Sequence, residues 1–143
     1  MTTSVAQTRF DSPDELLAAV GRNLGTTPWL TVEPVSTDQF DRATERASGA
    51  HGRVSPFMLL SLTNYFLPQL LEVGGISSGI NYGASSVRFG DAARAGDRLR
   101  ATATIIDAAE VPGGVQTTIR IVVEVEGATE PGCAVESLSR WLR

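Results

Sequence analysis

Between Val115 and Val125 the side chains alternate in character, with Val115, Thr117, Ile119, Ile121, Val123 and Val125 on one side and Gln116, Thr118, Arg120, Glu124 and Glu126 on the other. A period of two marks an extended strand with one buried and one wetted face, the pattern of an antiparallel sheet. The chain after Gly74-Gly75 is strand-like throughout, cut by turn signals at Gly90-Asp91, Gly96-Asp97, Pro112-Gly113-Gly114 and Pro131-Gly132.

The first half follows a helical period instead. Ser12-Pro13-Asp14-Glu15 predicts a helix start, with Ser12 as cap, Pro13 in the first turn and Glu15 closing a capping box. Leu16, Leu17, Val20 and Leu24 supply its apolar stripe and Gly25 ends it. Trp29 to Val35 predicts a short strand, and Ser36-Thr37-Asp38-Gln39 opens a second helix reaching about Ala47. After the small-residue loop Ser48 to Arg53, Ser55-Pro56 repeats the cap-plus-proline signal. The segment from Pro56 to Leu71 is then apolar almost all round, as expected of a helix enclosed by a sheet.

A chain of 143 residues suits one domain able to bury a core without staples. The expected organisation is a flexible N-terminus over 1–10 and a single domain over 11–143. A net charge of −4 and the absence of a basic stripe argue against nucleic acid. All 12 basic residues are Arg, so no lysine is available for a Schiff base. The single cysteine, Cys133, cannot form an intramolecular disulfide and is expected to be inert packing. The polar interruptions Ser61, Asn64, Pro68 and Glu72 make the longest apolar run a poor membrane span, so a soluble, cytoplasmic protein is expected. No zinc spacing, P-loop, nucleophile elbow or dinucleotide fingerprint is present, and neither a metal nor a cofactor is expected.

Gly-Ile-Asn-Tyr-Gly at 79–83, Val-Arg-Phe at 87–89, Ala-Gly-Asp-Arg-Leu-Arg-Ala at 95–101 and the closing Arg140-Trp141 resemble the MaoC-like, hot-dog-fold (R)-enoyl-CoA hydratases and dehydratases. The resemblance runs from Thr31 to Trp141. It implies an α+β fold in which an antiparallel sheet wraps the helix Pro56 to Leu71, and it implies a homodimer. Unpaired edges of such a sheet point the same way. The family carries an Asp and a His in the loop before the central helix; here Ala43 to Val54 is short and holds no such pair. Ser55-Pro56 stands where the family has His-Gly, and Pro56 lacks an N–H that could polarise a thioester carbonyl.

Seven residues are candidates for a site. His51, the only histidine, is either a displaced acid/base or an exposed loop residue. Tyr82 and Asn81 match the family's Asn-Tyr-Gly beside the pocket, or else tie strand to helix. Ser55 either meets a ligand carbonyl or caps the helix. Phe57, Met58 and Tyr65 line an apolar pocket or belong to the core. His51 and Tyr82 are the catalytic candidates; Ser55, Phe57, Met58, Tyr65 and Asn81 are the ligand-binding ones. Asp38, Asp41 and Glu45 share helical spacing, read as a solvated face paired with Arg42 and Arg46. Arg53, Arg94, Arg98 and Arg100 either meet a coenzyme A phosphate or pair with surface acids.

Three functions follow from the resemblance and the missing pair. The first is an enzyme with a repurposed apolar pocket that binds an acyl-thioester or polyketide-like chain and promotes a cyclisation or addition by shape. The second is a non-catalytic, chain-holding subunit that forms a heterodimer with a catalytic dehydratase subunit. The third is a hydratase or dehydratase using His51.

Overall fold

The computed structural model describes residues 6–46, 52–91 and 93–143. The first half holds β1 (Thr8–Phe10), a 3-10 helix (Pro13–Ala18), β2 (Asn23–Thr26), β3 (Leu30–Thr31) and α1 (Pro34–Ala43). Then come α2 (Pro56–Ser61), α3 (Thr63–Leu70), β4 (Leu71–Val73) and four long strands: β5 (Ser78–Phe89), β6 (Arg98–Val111), β7 (Gly114–Val125) and β8 (Cys133–Leu142). The main sheet is antiparallel in the order β2-β6-β7-β8-β5, with β3 also on β6. β1 and β4 form a separate parallel pair.

The alternation along β7 sets the inner face. Val115, Thr117, Ile119 and Val123 are fully buried, and in β6 Leu99, Ala101, Ala103 and Ile105 lie beside them. The two alanines keep the sheet surface low, and α3 packs against β6 and β7 with Phe66 and Leu70 fully buried. The hot-dog arrangement follows, a curled antiparallel sheet around a helical segment. Among the described residues no helix is long and apolar enough to cross a membrane.

Local signals and tertiary pairing disagree in four places. The helix expected from Ser12 to Leu24 is only a 3-10 turn, because Leu24 is drawn into β2 on the ladder of β6. Glu15 reaches back to the Asp11 N–H at 2.8 Å, one residue before the expected cap, and Ser12 makes no capping bond. Trp29 to Val35 contributes only the two residues of β3 to the sheet, and α1 starts at Pro34. The central helix is broken in two at Leu62, where the Thr63 hydroxyl donates to the Leu60 carbonyl at 2.7 Å. Nor is it buried all round: Phe57 is 64 % exposed and Tyr65 52 %.

The N-terminal segment also finds a place. Thr8 to Phe10 pairs with β4, Arg9 bridges to Glu72 at 2.8 Å, and the Gln7 side chain donates to the Pro68 carbonyl at 2.6 Å. That last bond meets one of the carbonyls left open where α3 ends.

Candidate functional site

The start of the central helix is tightly built. Val54 and Ser55 are buried, and Pro56 presets the first helical turn. The Ser55 carbonyl accepts from the N–H groups of Met58 at 3.0 Å and Leu59 at 3.3 Å, while its hydroxyl makes no capping bond. Met58 turns inward; Phe57 turns out and meets Phe89 of β5, ring centroids 5.3 Å apart. Tyr65 continues this outward stripe two turns later, with its ring against the edge of Phe66. His51 lies outside the described residues.

Further along, α3 and β5 part to leave a groove of about 350 Å³. Leu67, Pro68, Leu71, Ile80 and Trp141 give it apolar walls. Gly79 makes room for the indole: a Cβ there would meet Trp141 ring carbons at 3.3–3.4 Å. Asn81 enters from the strand and donates through Nδ2 to Oδ1 of Asn64 on the helix at 3.0 Å. Ser139 is the register partner of both Asn81 and Thr117, and the Trp141 indole donates to the Thr117 hydroxyl at 2.9 Å. A belt of amides and hydroxyls therefore crosses β5, β8 and β7 at one level. Glu72 at the rim is held by Arg9, whose guanidinium pKa rises because it hydrogen-bonds Glu72 and Asp11.

Asn81 and Tyr82 reach different partners. A register shift falls between Asn81 and Gly83, and Tyr82 lies on the outer face with its ring 3.7 Å from the Arg140 guanidinium carbon. Arg140 in turn donates to Gln116 at 2.9 Å, on the same outer face. Of the sequence candidates, Asn81 lines the groove, Ser55, Phe57 and Met58 gather at the helix start, and Tyr65 lies on the exposed helix face between them. Asn64, Ser139 and Trp141 join the groove without having been singled out for it. The signal available for Asn64 was its polarity within an apolar helix.

One further expectation changes. Asp41 is not on a solvated face: it is 3 % exposed and faces Arg46 at 3.6 Å, and among the described residues neither Asp41 Oδ1 nor Arg46 Nη1 has a hydrogen-bond partner. Three of the four arginines weighed as phosphate ligands pair with surface acids, as the simpler reading had it: Arg53 with Asp91, Arg98 with Glu126 and Arg100 with Glu124. Cys133 is fully buried, and burial pushes its thiol up to about 11, far from a reactive thiolate. Among the described residues no cluster suited to a metal ion is present.

No family model matches the chain. It is 34% identical over 151 residues to 3-hydroxyacyl-thioester dehydratase Z of Mycobacterium tuberculosis, covering 93% of this chain and 97% of that one. This chain belongs to the MaoC-like hydratase and dehydratase family. Solved structures with the same fold include the MaoC-like dehydratase from Rhodospirillum rubrum, at a TM-score of 0.65 and 15% identity over 87% of this chain and 93% of that one. The HadBC (3R-hydroxyacyl-ACP dehydratase) complex from Mycobacterium tuberculosis matches at a TM-score of 0.62 and 17% identity, over 85% and 96%.

Proposed function

We propose that this MaoC-like protein binds an acyl-thioester or polyketide-derived chain in the groove between α3 and β5 and promotes an addition or cyclisation by holding the chain in a reactive shape. The observation that carries this is the groove's lining. It is apolar with amide, hydroxyl and indole groups, and the one carboxylate on its wall among the described residues, Glu72, is engaged by Arg9. Such a surface orients a carbonyl or hydroxyl but offers little proton transfer, so proximity is the main source of acceleration. The relative's name, a 3-hydroxyacyl-thioester dehydratase, supports a thioester-borne chain.

The test is to purify the protein, identify copurified ligand by mass spectrometry, and assay short 2-enoyl thioesters by absorbance. A bound chain with little hydration is the expected result. General acid–base help is worth about 10²–10⁴-fold, so turnover that disappears in His51→Ala would replace this mechanism with an ordinary hydratase. Tyr82→Phe should leave both binding and conversion unchanged, since that ring stacks on Arg140 outside the groove.

A second reading rests on β5. Among the described residues this strand closes the sheet as an edge and leaves Val87 and Phe89 exposed on its inner face together with Phe57 of the helix. We propose that a second chain covers this face, in the first place another copy. A heterodimer in which this chain holds the acyl tail for a catalytic dehydratase subunit is the alternative, and the two-component HadBC complex supports it. Ligand that binds but is never converted, together with restored dehydration on adding a catalytic partner, would favour the second reading.

A further inference from the structure

We propose that the groove selects a chain carrying a hydroxyl or carbonyl oxygen partway along its length, and that Ser139, with Asn64 and Asn81, is the group that reads it. The inference rests on the chain-binding function above and adds the substrate class. Ser139 is 4 % exposed, lines the groove, and has no side-chain hydrogen bond among the described residues. The hydroxyl oxygen is not sealed but opens onto the groove, so it loses its hydration only when a chain enters and must then be met by an oxygen or nitrogen of that chain. Its neighbours in register explain why no protein group meets it. Thr117 on one side receives the Trp141 indole, and Asn81 on the other gives its N–H to Asn64.

What the belt leaves over is a matched set. The Asn64 amide keeps its N–H donors, Asn81 keeps its carbonyl oxygen, and the Ser139 hydroxyl can do either. A hydroxyl or a ketone lying across this level satisfies them; a plain methylene displaces water and satisfies none. Sites that hydrogen-bond a substrate oxygen reject the analogue lacking it for this reason, whereas apolar walls distinguish methylenes only weakly. The Asn64 level is about two helical turns beyond Pro56, so the oxygen read here is remote from a carbonyl held at the helix start. Chains with oxygen at intervals fit this requirement; simple fatty acyl chains do not.

The experiment uses N-acetylcysteamine thioesters of decanoic acid and of its mid-chain hydroxy and oxo derivatives, binding measured by calorimetry to the full-length protein. In the parent, at least one oxygenated chain should bind about tenfold more tightly than the unsubstituted one, the worth of one satisfied hydrogen bond. In Ser139→Ala that preference should shrink to within about twofold, with the unsubstituted chain bound as well as before or better; Asn64→Leu provides an independent variant on another element. Equal binding of all chains by the parent, or a preference that survives in both variants, overturns the inference and leaves the chain-binding function standing. Failure of every chain to bind overturns both.

Discussion

β7 and β5 have the same length and lie in one sheet, yet their surroundings are opposite. β7 has a strand on each side and the helix above it, and its inward residues from Val115 to Val123 are sealed. Among the described residues β5 has a neighbour only on the β8 side; its inner residues Val87 and Phe89 are 36 % and 40 % exposed. The helix covers the middle of the sheet and falls short of the edge. One chain therefore finishes β7 but not β5, and the unfinished strand is where the proposed ligand and partner have room.

That contrast can be broken by mutation. Ile121→Ala on β7 should cost about 2–5 kcal/mol, because the cavity has no route to collapse, whereas Val87→Ala on β5 should cost under about 1 kcal/mol in the monomer. Denaturant midpoints measured at low protein concentration check this, and equal losses would mean that β5 is sealed within one chain. Next in size, Val87→Arg should leave a cooperative fold but weaken self-association at least ~30-fold, as removal of an interface anchor does. Sedimentation of the parent as a monomer at micromolar concentration would end the two-copy account of this edge.

Smaller effects sharpen the picture. Gly79→Ala should cost about 1–2 kcal/mol and reduce ligand affinity, since a methyl at 3.3 Å from the indole forces Trp141 into the groove. Unchanged affinity with a displaced melting temperature would separate packing from binding. Last, Cys133 keeps its proton more firmly when folded. Its pKa is raised from 9.0 to about 11, so the folded state binds more protons in that window and stability falls as pH rises through it. About 1 kcal/mol should be lost over the first half of the window, and the stability of Cys133→Ala relative to parent should rise correspondingly; parallel profiles would show that the thiol does not titrate there.

Much of this fold was legible in the chain because one physical rule governed each stretch. Along β7 burial on one face dictates a period of two, and the observed strand ends within a residue of the pattern. Legibility failed where two rules competed. Leu24 satisfies a helical stripe and a strand register equally, and the ladder of β6 won. The site was harder still. The bulge between Asn81 and Gly83 leaves Tyr82 without a register partner and its ring over Arg140, a local irregularity that the Asn-Tyr-Gly motif does not reveal. Asp41 carries nothing in sequence that separates a solvated carboxylate from a buried one, since the difference is made by the partners folded over it. Ser139 and Asn64 meet only through tertiary register, 75 residues apart in number but joined through Asn81.

The placement of the two tryptophans gives the molecule a built-in optical reporter. Trp29 lies outside the sheet with the Arg100 guanidinium carbon 4.3 Å from its ring centre, away from the groove. Trp141 forms a groove wall and is anchored through its nitrogen to Thr117, so its ring reports on what fills the groove. Replacing Trp29 by Phe leaves a single emitter whose wavelength follows the polarity of the groove. Entry of an apolar chain is then visible as a blue shift in ordinary fluorescence, without a label, a substrate chromophore or any turnover.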